Sequence, residues 1–217
     1  MYHGTSISRG TTFLEEQKMK CSHGDGEWLG DGIYLYRDKI YAYRWITILY
    51  KGAHNGDQIK DDIFKEYMIL CVEIEYKNVF SLLNPEHRLE FITVKNSCAK
   101  KAKLSEKLKK YDYTDGVVLN FMFKALGYDK QYDMVEAVFP LNNSGNERNS
   151  RLGNFNEYQL CIKNPERIKK ISDCSSDFSF EDYQKKLNEI NQYRTQSRKN
   201  GNKYKTQYKT NAEGYRA

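Results

Sequence analysis

The stretch Gly30-Asp31-Gly32-Ile33-Tyr34-Leu35-Tyr36, with Trp45 eleven residues beyond Tyr34, holds the residue types best suited to recognising a flat ligand. Two glycines flank one carboxylate, and glycine costs least where a backbone must turn sharply or let a ligand come close. Ile-Tyr-Leu-Tyr favours an extended strand, with a large flat ring at every second residue. A helix-compatible segment over 39–49 then carries Trp45 back toward that strand. Two aromatics brought together in this way can sandwich a planar ring. Two aromatics of an ordinary core have the same spacing, so this run alone leaves both readings open. Cys21-x-His23 is the nearest approach to metal-ligand spacing in the chain. The five cysteines are irregularly spaced and form neither a paired zinc motif nor a disulfide framework, so no metal site is expected.

The elements that must position these residues follow from the apolar pattern. Tyr2-His3-Gly4-Thr5 opens the chain as a strand, and a short amphipathic helix over 6–20 has Ile7, Phe13 and Leu14 on its apolar face. Residues 21–30 form a polar, glycine-rich loop holding Trp28, ahead of the Ile-Tyr strand and the Trp45 helix. Residues 68–75 are a strong strand, and 78–83 continue it toward a turn at Asn84-Pro85. A helix is expected over 89–110, a short buried strand over 117–121, and another strand over 134–141. Residues 142–154 are a long Asn/Ser/Gly/Arg loop, and such loops beside a site are more often functional than filler. Asn156-Glu157-Tyr158-Gln159-Leu160-Cys161-Ile162-Lys163-Asn164 is a strand that ends at Pro165, with Ile168 and Ile171 packing behind it. A helix over 180–190, capped by Ser179, closes the patterned part of the chain. Strands interrupted irregularly by helices argue for an α+β fold rather than a doubly wound sheet. The glycines do not make a dinucleotide fingerprint either, because they precede a strand instead of following one.

Composition bounds the rest. The chain has 217 residues, 39% apolar, with 18 tyrosines and a net charge of +6. No apolar run is long enough for a membrane span, and the odd, scattered cysteines fit a reducing, cytoplasmic setting. The positive charge is local. Arg194, Arg198, Lys199, Lys203, Lys205, Lys209 and Arg216 face Glu213 alone, and without this tail acidic and basic residues are equal in number. A second cluster, Lys95, Lys100, Lys101, Lys103, Lys107, Lys109 and Lys110, lies within the body, opposed by Glu106. The tail lacks the aliphatic residues needed to bury a core of its own.

Three pieces therefore stand in order: Tyr2-His3-Gly4-Thr5, Gly30-Asp31-Gly32-Ile33-Tyr34 with Trp45, and Asn156-Glu157-Tyr158. Together they resemble the His-Tyr-Glu pattern of the diphtheria-toxin-like and poly(ADP-ribose) polymerase-like ADP-ribosyltransferases. The strand over 68–75 with Asn78-Val79-Phe80 is similar to that family's middle strand, and the likeness covers residues 1–172. The resemblance implies split antiparallel β-sheets with flanking helices. It implies a catalytic domain over 1–175, followed by a helix and a basic, poorly structured tail over 176–217. His3, Tyr34 and Glu157 would be the catalytic residues, and His3, Gly4, Thr5, Tyr34 and Trp45 would hold NAD, the co-substrate, with no metal. Glu157 would stabilise the oxocarbenium-like ribose that forms as nicotinamide leaves, and Tyr34 and Trp45 would stack on the pyridinium ring. A plain structural account exists beside each role: His3 as a satisfied interior histidine, Glu157 as a strand-end carboxylate. The chain also departs from the pattern. Ala42 stands where many polymerase-type members have a serine, and the short region after Phe80 favours mono-ADP-ribosylation over polymer formation.

The expected function is transfer of ADP-ribose to a macromolecule by a toxin-like or defence effector. The basic clusters suggest a nucleic-acid acceptor, RNA ahead of DNA, held by Lys100, Lys101, Lys103, Lys199, Lys203 and Lys205. The tail is equally suited to an antitoxin or chaperone. A protein acceptor, or an inactive module that binds NAD or ADP-ribose, are the alternatives.

Overall fold

The computed structural model describes residues 1–24, 26–55, 59, 63–104, 114–140, 156–177 and 179–189, with the side chains of 101–104 excepted. The strands are β1 (Tyr2–Ser6), β2 (Ile33–Tyr36), β3 (Tyr67–Ile74), β4 (Val79–Ser81), β5 (Met134–Pro140), β6 (Asn156–Ile162) and β7 (Ile168–Asp173). The helices are α1 (Ile7–Glu16), α2 (Lys39–Ala53), α3 (Pro85–Leu104), α4 (Asp115–Ala125) and α5 over 180–189. All strands join one seven-stranded sheet in the order β4-β5-β6-β2-β1-β3-β7. Every pairing is antiparallel except β4 with β5, which is parallel. The fold is α+β with a mixed sheet. In place of two separate sheets there is one, but β1 and β2 share a single residue pair, Tyr2 with Tyr36. That join is far thinner than the five-pair ladder between β1 and β3.

The central strands explain the apolar runs. In β3, Tyr67, Met68, Ile69 and Leu70 are all buried, as expected of a strand covered on both faces. In β6 every residue after Asn156 is buried. One face of the sheet carries a single core that includes Phe13, Leu35, Leu70, Val72, Leu160 and Ile162, under α1. The opposite face carries two cores. One gathers Tyr36, Tyr41, Ala42, Tyr43, Ile46 and Ile69, with Leu187 of α5. The other gathers Leu29, Phe80, Phe91, Val118, Leu119 and Met122, under α3 and α4. α5 thus packs on α2, where the Tyr43 hydroxyl meets Gln184 at 3.1 Å. At the end of α1, Gln17 takes a left-handed conformation (φ 51) and its side chain bonds both backbone groups of Ile171 in β7.

One expected element is different. Val117 to Phe121, read as a short buried strand, lies inside α4. Thr114 caps that helix by accepting from the Val117 amide. Val118, Leu119, Met122 and Phe123 then fall on one buried face at helical spacing. A five-residue apolar run has no period of its own, and here the cap decides it.

Candidate functional site

The three sequence pieces that stand far apart in the chain occupy three neighbouring strands, β1, β2 and β6. Paired residues share a face, and alternate residues of a strand share a face. Tyr34 pairs with Cys161 and Tyr36 with Gln159, so Tyr34, Tyr36, Glu157, Gln159 and Cys161 all face α2, α3 and α4. Tyr2 and Gly4 lie on that face too, whereas His3 and Thr5 turn toward α1.

Glu157 is the centre of this face. The residue is 1% exposed, and a carboxylate so buried demands partners. Arg44 of α2 supplies one, with a guanidinium nitrogen 3.0 Å from Oε2. The Gln159 amide donates to Oε1 from the same strand. The phenol of Tyr36 lies close enough that, after burial, the Glu157 charge is the next cause raising its pKa, with Arg44 opposing. Arg44 and Tyr36 did not stand out in the sequence. Arg44 sits directly before Trp45, and only an ion pair across 113 residues reveals it.

His3 sits where β1 and β2 part. Its Nδ1 is 2.8 Å from the Tyr34 carbonyl oxygen, which can only accept, so Nδ1 carries the proton. Burial holds the His3 pKa below its ordinary value, with Arg9 adding to that shift and the Tyr34 bond opposing it. The ring is therefore neutral at pH 7, and Nε2 is left with a lone pair. Among the described residues no hydrogen bond to Nε2 is formed. Thr5 is buried under α1, where its methyl group lies against Gly10.

Gly4 is pressed against α2. A side chain there would meet the Ala42 carbonyl at 2.6 Å and an Ile46 methyl at 2.7 Å, so the close approach that requires glycine is made by the helix. Tyr34 points toward the glycine run that precedes it. Its hydroxyl accepts from the Leu29 amide at 2.7 Å and donates to the Gly30 carbonyl at 2.8 Å. Gly30 itself has φ +74 and lies against Asn120 of α4, whose amide group bonds Asp31 on both backbone and side chain. The Gly-Asp-Gly run is thereby fixed to α4. Trp45 is partly exposed on α2, and among the described residues no ring contact joins it to Tyr34. The structure thus gathers Tyr36, Arg44, Glu157 and Gln159, turns His3 toward α1 on the other face of the sheet, and leaves Tyr34 and Trp45 apart.

The chain is 35% identical over 187 residues to "Uncharacterized protein MJ0359" of Methanocaldococcus jannaschii, covering 79% of this chain and 85% of that protein. The chain belongs to the family of that archaeal protein. No family model matches it, and no solved structure matches it. The kinship with the archaeal protein spans most of both chains, so the family shares a domain of this size rather than a short motif.

Of the lysines expected to hold nucleic acid, Lys100 is exposed near the end of α3. The side chains of Lys101 and Lys103, all of Lys199, Lys203 and Lys205, and the loop over 142–154 lie outside the described residues. Among the described residues no cluster of metal-binding side chains is present. No described helix is long and apolar enough to cross a membrane.

Proposed function

We propose that this chain is a mono-ADP-ribosyltransferase that cleaves NAD and passes ADP-ribose to a macromolecule. The observation that carries the reading is that three motifs far apart in the chain lie on three neighbouring strands, one of which carries a buried carboxylate, Glu157. Buried carboxylates are costly, and one held by Arg44 and Gln159 is an arrangement suited to chemistry. In the proposed reaction the bond from ribose C1′ to nicotinamide breaks, and its electron pair stays with the nicotinamide nitrogen. Glu157 stabilises the positive charge that develops on the ribose. The neutral His3 accepts a hydrogen bond from a ribose hydroxyl at Nε2. Gly4 and Ala42 are in contact as they stand, so admitting the nicotinamide ring requires α2 to lift. Arg44 and Trp45 are carried on that helix, so the same movement displaces both.

Nicotinamide release from NAD tests this directly. Glu157→Gln keeps the shape and removes the charge, and loss of such a group costs on the order of 10² to 10³ in rate. A folded Glu157→Gln protein with undiminished release refutes the assignment. The Arg44 ion pair favours a second reading, since a neutralised carboxylate suits an NAD- or ADP-ribose-binding module without turnover. That reading requires NAD binding with no nicotinamide released. As acceptor, nucleic acid, RNA ahead of DNA, rests on the lysine clusters, and a protein is the other class.

A further inference from the structure

An open cleft of about 400 Å³ is lined by Gly26, Glu27 and Trp28, by Thr114 and the first residues of α4, and by Phe139 with Pro140 at the end of β5. Phe139 pairs directly with Glu157 across β5 and β6, so the cleft wall and the buried carboxylate are neighbours on one face. The Trp28 ring lies 4.8 Å from the Phe139 ring and is 49% exposed. An indole half in solvent against a phenylalanine presents a flat surface to a guest. Two carboxylates, Glu27 and Asp115, line the same space, and among the described residues no Lys or Arg does. Asp115 is paired from outside by Lys95, and Glu27 has no ion pair among the described residues. Burial first, and then neighbouring charges including Glu27, push up the phenols of Tyr34 and Tyr36. The charge of Glu157 raises the Tyr36 phenol as well, more than Glu27 does, with Arg44 opposing.

We propose that this cleft receives an arginine side chain of a partner protein as the acceptor of ADP-ribose. The proposal rests on the transferase reading of Glu157 and adds the chemical class of the second substrate. A guanidinium is planar, stacks on an indole face, and donates a fork of hydrogen bonds to a carboxylate. The cleft supplies both surfaces, Trp28 and Glu27. A phosphodiester would meet the Glu27 charge with no lining cation to balance it, which disfavours a nucleic-acid strand here. An ammonium offers no plane to stack, which separates arginine from lysine. In the transfer, an arginine Nω forms the bond to C1′ as the C1′–nicotinamide bond breaks. The proton lost by that nitrogen goes to Glu27, and the substituted guanidinium remains a cation.

The test uses the full chain with NAD labelled in its adenosine half and three acceptors: an arginine-bearing peptide, the same peptide with lysine instead, and single-stranded RNA. Label in the arginine peptide alone is the expected result. Label in RNA or in the lysine peptide overturns this inference and leaves the transferase standing. Release of nicotinamide with no labelled acceptor also overturns it and leaves NAD cleavage standing. If no nicotinamide is released, the transferase reading fails, and peptide binding still judges the cleft. In tryptophan-fluorescence titration the arginine peptide should bind about tenfold more weakly to Trp28→Ala and to Glu27→Gln. Equal binding by wild type and both variants removes the arginine site.

Discussion

Breaking the Arg44–Glu157 pair from one side should cost far more than removing both charges. The Glu157 side chain is 2% exposed and that of Arg44 23%, at 3.0 Å. Removing one partner of a buried pair leaves a stranded charge and costs about 3–5 kcal/mol; a quarter-exposed arginine puts the expected figure at the lower end, about 3. Gln159 still donates to Glu157 in an Arg44→Met protein, but an amide replaces only part of a full charge. In the double variant Arg44→Met with Glu157→Gln, the stranded charge is gone, and stability should return to within about 1 kcal/mol of wild type. Urea unfolding of the four proteins gives the coupling free energy. For a domain of this size, about 3 kcal/mol also corresponds to a fall of roughly 6–12 °C in Tm. A coupling below about 0.5 kcal/mol would mean that the two side chains are solvated independently, and the argument for a closed α2 would fail.

Two further outcomes are expected. Tyr34→Phe keeps the ring but strands the Leu29 amide and the Gly30 carbonyl, so it should destabilise by about 1–3 kcal/mol in denaturant titration; a neutral effect would mean the hydroxyl does not hold the glycine run. His3 has a folded pKa below the unfolded 6.5 because of burial, so the unfolded chain binds the proton more readily. Its contribution is complete above pH 6.5 and is lost as pH falls from there toward the folded pKa, by at most about 1.4 kcal/mol per pH unit. His3→Gln should flatten that part of the stability profile, and an unchanged slope would assign it to other groups.

Much of the sheet could be read from the chain. The strand expected over 68–75 is β3, Tyr67–Ile74, and that beginning at Asn156 is β6, because long apolar or alternating runs carry their own period. The Trp45 helix was legible too, though α2 runs on to Ala53. α4 was not, because its apolar run is too short to show a period and its capping threonine is one residue. The single sheet was hidden as well, since the join of β1 to β2 is one pair. In the site, the place of Glu157 at a strand opening was visible. Its partner was not, because an ion pair between residues 113 apart leaves no local pattern. The direction of the Tyr34 ring depends on two backbone groups that any sequence presents alike.

The thin join between β1 and β2 also orders the assembly of the molecule. β4, β5 and β6 with α3 and α4 come from residues 79–162 and draw β2 and the Leu29–Asp31 segment from earlier in the chain. β1, β3 and β7 must instead bring the first residues to the last, as in the Gln17–Ile171 bonds across 154 positions. Closing so long a loop costs entropy before any contact repays it, so that half should fold later. On a ribosome the edge of that half is completed only when β7 emerges, after every other strand. β6, which carries Glu157, precedes β7 in the chain, so the carboxylate's strand is available before the last edge of the sheet closes.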